Sequence, residues 1–127
     1  LVEEEGAEAM VRKTNLLRLP AGTDAQKREW YIREQLRVPG WFYSKLFRFN
    51  RDLDLTPLLP RIQAPVLLIV GGQGQQGSLG GAELARDTIP DCRLAVLADM
   101  PFNVMSAAAG DCVRETLVFL DGLTGRT

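Results

Sequence analysis

The sequence PVLLIVG, from Pro65 to Gly71, decides the fold class of this chain of 127 residues. Between the proline and the glycine lies an unbroken run of Val, Leu and Ile, which is typical of a strand buried on both faces of a parallel sheet. The segment therefore predicts a central β-strand from Pro65 to Val70. A glycine-rich loop over residues 71–77 is expected to follow it.

The sequence after this strand alternates between helix and strand. A helix is predicted over residues 79–89, a second strand over residues 93–97 and a terminal helix over residues 107–123. The apolar stripe of the terminal helix consists of Val113, Leu117 and Leu120. Strand, helix, strand and helix joined by short links imply two parallel strands and an α/β fold.

The first part of the chain is predicted to form three helices, over residues 3–17, 24–37 and 41–50. Proline and glycine residues separate them. The second helix is expected to begin at Thr23 or Asp24, because a side-chain oxygen at that position can accept a hydrogen bond from a free amide of the first turn.

The third predicted helix is rich in aromatic residues. Seven of the nine aromatic residues lie between positions 30 and 49, and Phe42, Leu46 and Phe49 share one helical face. One hypothesis is an apolar ligand pocket, whose candidate residues are Trp41, Phe42, Tyr43 and Phe47. A second is contact with a membrane surface, since basic residues are interleaved with the aromatic ones. Packing against the rest of the protein is the alternative to both.

Three segments together resemble a known family. Residues 55–71 (LTPLLPRIQAPVLLIVG) resemble the segment that leads into the penultimate strand of α/β-hydrolase-fold proteins. Residues 89–94 (IPDCRL) resemble the family's turn into the last strand, and residues 119–120 its closing helix. The resemblance implies a partial α/β-hydrolase-like fold: a helical lid over residues 1–60, then a β-α-β-α unit with parallel strands over residues 61–127.

Other residue types occupy the positions at which this family carries its catalytic acid and base. Counting forward from Gly71 and back from Ile89 places the acid at Gly74, and counting back from residues 119–120 places the base at Phe102. The serine elbow Gly-x-Ser-x-Gly occurs nowhere in the chain. The resemblance therefore implies a catalytically degenerate relative, because a serine without an adjacent base is a weak nucleophile.

The amino-acid composition excludes further kinds of catalytic and metal site. The chain has no histidine, so it cannot complete a Ser-His-Asp triad alone or build a histidine zinc site. Cys92 and Cys112 are expected to be free thiols, and no metal or cofactor is expected. Asp99, close to the end of the second strand, is expected to be a solvated loop residue rather than a substitute base.

The charge balance bears on partners and location. Lys and Arg number 15 against 16 Asp and Glu, a net charge of −1. Without a basic excess, nucleic-acid binding is not expected. No apolar run reaches the roughly 20 residues of a transmembrane helix, and the acidic start is unlike a signal peptide. We therefore expect a cytoplasmic protein with no transmembrane segment.

The loop after the first strand also matches a nucleotide-binding pattern. Gly72, Gly74 and Gly77 fit G-x-G-x-x-G between a predicted strand and a predicted helix. This alternative, a nucleotide-binding module, requires further strands and helices, and the chain after Asp99 is too short to supply them. The favoured interpretation is a flexible loop.

The favoured function is binding or assembly by a catalytically degenerate, partial α/β-hydrolase-like protein. The alternative is the C-terminal piece of a larger or split hydrolase whose other segment carries the serine. In the family's strand order, the strand from Pro65 to Val70 has a neighbour on each side, and the preceding neighbour is missing here. We expect that edge to pair with a second copy, giving a homo-oligomer, or with a complementing chain.

Overall fold

A computed structural model describes residues 2–73 and 78–125, and these residues form helices and a two-stranded parallel sheet. The elements are α1 (Val2–Arg18), α2 (Ala25–Leu36), α3 (Gly40–Arg51), a 3₁₀-helix (Thr56–Arg61), β1 (Val66–Gly71), α4 (Ser78–Thr88), β2 (Cys92–Leu97), α5 (Val104–Ala107) and α6 (Ala109–Thr124). The chain divides into a helical unit, Leu1–Asp54, and a sheet unit, Leu55–Thr127. No described helix has the length and apolarity needed to cross a membrane.

The helical unit begins with two helices whose ends follow local sequence signals. Asp24 caps α2 as expected, because its carboxylate accepts a hydrogen bond from the amide of Lys27 at 3.0 Å. In α1 the backbone leaves helical geometry at Gly6, where φ is 84°. The single helix predicted over residues 3–17 is therefore interrupted at a glycine, the residue that adopts positive φ at little cost.

A small apolar cluster holds the helical unit together. It consists of Met10, Val11 and Ile32, with Leu36 and Tyr43 packed against it. The hydroxyl of Tyr43 donates to the carbonyl of Gln35 at 2.8 Å and so ties α3 to the end of α2. The aromatic ring of α3 that joins this core is thus Tyr43, whereas Phe42, Leu46 and Phe49 are exposed.

The sheet unit is built on the predicted parallel pair. The register runs from Val66 opposite Cys92 to Gly71 opposite Leu97. Helix α4 connects the two strands and contacts both, and α6 contacts β1. An ion pair of 2.9 Å between Arg93 and Glu115 ties β2 to α6. The prediction of two parallel strands is confirmed.

The burial predicted for β1 is wrong. From Val66 to Val70 each residue is only half-buried, and Gly71 alone is buried. An unbroken apolar run shows that a strand can be covered on both faces, but coverage depends on how many strands and helices surround it. Here the described sheet has two strands. The helices therefore have a narrow sheet to pack against and leave part of β1 exposed.

Two further elements of the sheet unit differ from the prediction. The short helix α5 was not predicted. The predicted terminal helix over residues 107–123 is confirmed as α6, which begins after Ala108, where φ is −139° and ψ is 53°. Its stripe of Val113, Leu117 and Leu120 is about half exposed instead of covered. The 3₁₀-helix was not predicted, and it joins the sheet unit through α4. The boundary between the units therefore falls at Asp54, before the boundary predicted at residue 60.

Candidate functional site

The carboxyl ends of β1 and β2 meet at the place where the family resemblance puts its catalytic loops. The amide of Gly72 donates to Leu97 at 2.9 Å, and the amide of Gln73 donates to Met100 at 3.0 Å. Met100 in turn donates to Leu97 at 3.0 Å. These backbone bonds join the loop after β1 to the turn after β2, so the two loops are held together without side-chain contributions.

Close backbone approach explains the glycines at the end of β1. A Cβ atom on Gly71 would collide with the carbonyl oxygens of Met100 and Pro101, and one on Gly72 would lie 2.5 Å from the carbonyl oxygen of Ala98. Packing of the β2 turn against β1 therefore requires Gly72, whether or not a nucleotide binds. Of the three glycines in the nucleotide-binding pattern, Gly74 and Gly77 lie outside the described residues.

The described part of the acid–base region holds no group in a catalytic arrangement. Phe102, at the family's base position, directly follows the turn that packs on Gly71, and 56% of its surface is exposed. Gly74, at the family's acid position, lies outside the described residues. Asp99 is exposed in the turn, as expected for a solvated loop residue.

The two cysteines belong to other parts of the sheet unit, since Cys92 is the first residue of β2 and Cys112 lies in α6. Cys92 and Cys112 are free thiols, as expected. Partial burial raises the pKa of the Cys92 thiol, and Arg86 opposes that rise. A raised pKa leaves less of the reactive thiolate at neutral pH.

The four candidate ligand-binding residues lie together on α3. The rings of Tyr43 and Phe47 are stacked with centroids 6.3 Å apart, and those of Trp41 and Phe42 meet edge to face at 6.1 Å. Tyr43 points into the helical core, whereas Trp41, Phe42 and Phe47 are exposed. The arrangement is an aromatic surface on one helix, and a bound ligand stays a prediction.

A groove in the sheet unit was not predicted from the sequence. It has a volume of about 210 Å³ and is lined by Met105, Ala109, Cys112, Val113, Thr116 and Leu117. The stripe of Val113 and Leu117 was visible in the sequence, but a stripe alone does not distinguish a covered face from an open one.

The outer edge of β1 is the other feature that the sheet geometry defines. The amide of Val66 donates to Asp91 and that of Gly72 to Leu97, each at 2.9 Å. In a parallel ladder alternate residues bond to the same neighbour, so the amides of Leu67 and Ile69 point away from β2. In the described part of the chain, neither amide donates to a backbone carbonyl in a turn or loop.

Comparisons of the chain with protein-family models, with curated proteins and with solved structures find no match.

Proposed function

We propose that this protein is a catalytically degenerate relative of the α/β-hydrolase-fold proteins that acts by assembly, with the outer edge of β1 pairing with β1 of a second copy. The observation that carries the proposal is the pair of outward amides, Leu67 and Ile69, on an apolar strand. An open edge of this kind is a template for another strand. A symmetric dimer is the commonest way to satisfy it.

Charge distinguishes β1 from β2 as the pairing strand. Strand β1 is uncharged along its whole length, whereas β2 carries Arg93, which is exposed and ion-paired with Glu115. Charged side chains on an edge strand discourage pairing with a further strand. The uncharged strand is therefore the one available for a partner.

Exposed apolar side chains of the sheet unit support the same proposal. They are about half exposed and comprise Leu84, Val113, Leu117, Val118 and Leu120. Val113, Leu117 and Leu120 share one face of α6, and an exposed apolar face of this kind commonly marks an interface. Since α6 contacts β1, a strand added beside β1 would also extend the surface on which α6 packs.

Hydrogen exchange at individual amides tests the proposal with an internal control. In the dimer we expect slow exchange at Leu67 and Ile69, which bond to the second copy, and at Leu68 and Val70, which bond to β2. On dilution, exchange at Leu67 and Ile69 should accelerate first, because only these amides lose their partner. Fast exchange at both residues at every concentration would contradict pairing at this edge.

A lysine introduced into either strand tests the same edge, because light scattering then shows by the particle mass whether the dimer persists. We expect Ile69→Lys to shift the particle from dimer to monomer in light scattering, because a desolvated lysine opposes strand pairing. Val96→Lys adds the same charge to β2 and should leave the dimer intact. A reversed result would place the interface on β2. A stable monomer in the unmodified chain would leave only a complementing chain of different sequence as partner.

A further inference from the structure

One side of α6 is turned toward β2. The carboxylate of Glu115 pairs with Arg93 of β2 at 2.9 Å, and Val118 lies beside Arg93 at the start of that strand. The same helix contacts β1. Helix α6 therefore lies over the two strands, with Glu115 and Val118 on its β2 side.

The apolar stripe of α6 lies on the opposite side of the helix. At 3.6 residues per turn, Val113 and Leu120 are about 140–160° round the helix from Glu115 and from Val118. They are also only about 20° from each other. Val113 is 57% exposed and Leu120 is 48% exposed. The stripe thus faces away from β2, in the direction of the outer edge of β1.

The groove opens on this same side of α6. Met105 of α5 forms one wall, and residues of α6 that include Val113 form the other. The hydroxyl of Thr116, which also lines the groove, donates to the carbonyl of Cys112 at 2.8 Å. Because this hydroxyl is already bonded within the helix, the groove suits an apolar side chain.

Strand pairing alone would give the proposed dimer a small interface. A stable interface uses about 20–30 residues of each partner, whereas β1 has 6 residues. A dimer joined at the outer edge of β1 therefore needs a further contact on the same side of the sheet unit. The apolar side of α6, with its groove, is the surface that lies there.

Symmetry brings the two copies of α6 together. Two copies of β1 that pair around a two-fold axis run antiparallel, and the axis is perpendicular to the sheet. Both copies of α6 then lie on one face of the joined sheet. Strands are about 4.8 Å apart, so helices placed over the space between β1 and β2 would lie about 10 Å from each other. This distance is usual for packed helices.

We propose that α6 packs against α6 of the second copy, with Leu120 of each copy in the groove of the other. The helix contact rests on the pairing of β1 proposed above. When the axis passes the middle of the stripe, Val113 lies opposite Leu120 of the second copy, because the two helices run antiparallel. Each copy thus supplies one groove and one side chain that fills it, as a symmetric interface requires.

The dissociation constant of the dimer tests the side of α6 that is buried. We expect Leu120→Glu to raise this constant by at least about tenfold, since a leucine loses its burial and a charge is left in an apolar contact. Val118→Glu is the matched control, because Val118 is 50% exposed on the β2 side of the same helix. It should leave the constant unchanged. Light scattering over a dilution series measures both variants.

Cysteine cross-linking tests the register. In a chain carrying Cys92→Ser and Cys112→Ala, we expect Val113→Cys with Leu120→Cys to form a covalent dimer on mild oxidation. The two positions are about 10 Å apart along one helix, too far for a disulfide within a copy. Val113→Cys with Val118→Cys should remain uncross-linked. Equal cross-linking of both pairs would overturn the proposed register.

Comparison with amide exchange separates the helix contact from strand pairing. If Leu120→Glu leaves the dissociation constant unchanged while Leu67 and Ile69 still exchange slowly, the helix contact is overturned and strand pairing stands. If those amides exchange fast in a dimer that still cross-links through α6, strand pairing is overturned and the helix contact stands. A monomer at every concentration would overturn both.

Discussion

The side chain of Asn15 is buried in the helical unit without a partner. Its surface is 1% exposed, and neither Nδ2 nor Oδ1 has a hydrogen-bond partner in the described structure. A buried amide that leaves water without replacing its hydrogen bonds costs about 1–3 kcal/mol. The side chain of Asn15 therefore lowers the stability of the helical unit.

We expect Asn15→Leu to raise the free energy of unfolding by about 1 kcal/mol, since it removes the unpaired polar atoms at similar volume. Urea denaturation followed by tryptophan fluorescence measures this change. Asn50→Leu is the matched control, because Asn50 is exposed on α3 and gains only helix propensity, a few tenths of a kcal/mol. Destabilisation by Asn15→Leu would show that the amide has a partner in solution.

Two glycines of the sheet unit should respond oppositely to alanine. We expect Gly72→Ala to destabilise the unit by roughly 1–3 kcal/mol, because its Cβ would meet the backbone of Ala98. At Gly80, within α4, nothing lies within 4 Å of an added Cβ. Gly80→Ala should therefore stabilise α4 by about 0.5–1 kcal/mol. Thermal unfolding monitored by circular dichroism compares the two variants. Equal shifts of their melting temperatures would contradict the close packing of the β2 turn on Gly72.

Ester hydrolysis tests the expectation that the chain has no hydrolase activity of its own. We expect no turnover of an activated ester by the isolated chain, because it contains no histidine and no serine elbow. Phe102→His with Gly74→Asp should not restore activity, since a base and an acid without a positioned nucleophile cannot form an acyl-enzyme. Turnover that a serine-directed phosphonate blocks would contradict this expectation.

At the scale of elements, the start of α2 offers a quantitative test. We expect Asp24→Ala to cost about 1 kcal/mol, because the amide of Lys27 loses its acceptor. Asp24→Asn keeps an acceptor oxygen at that position and should cost much less. The denaturation midpoints of the unsubstituted chain and of the two variants measure these losses of stability. Equal losses for Ala and Asn would show that the charge of Asp24 stabilises α2 and that its hydrogen bond does not.

Element type was predictable because its signals are local. Proline, glycine and the Asp24 cap mark the boundaries of α2 and α3, and the apolar run marks β1. Burial was not predictable, because it depends on neighbours distant in sequence. Phe42, Leu46 and Phe49 form a stripe that would suit a core, yet Tyr43 is the ring that packs. For the same reason the open edge of β1 was expected from the family resemblance, not from the strand's own residues.

For the whole molecule, the positions of the tryptophans allow unfolding of the helical unit to be followed apart from that of the sheet unit. Both tryptophans, Trp30 and Trp41, lie in the helical unit, and circular dichroism reports on both units. If the sheet unit assembles, its stability rises with protein concentration by mass action. We expect the midpoint measured by circular dichroism to rise with concentration while the midpoint measured by fluorescence stays constant. Coincident midpoints at all concentrations would show one cooperative transition instead.

The parallel pairing of β1 and β2 has a consequence for the order of folding. Parallel strands cannot be joined by a tight turn, so Val66 meets Cys92 only after the intervening loop and α4 have closed the chain. The contacts of the helical unit, such as that between Tyr43 and Gln35, are closer in sequence, and we expect them to form sooner. On a ribosome the helical unit also emerges first. Strand β1 is therefore exposed to neighbouring chains, correct or incorrect, for longer than any helix that precedes it.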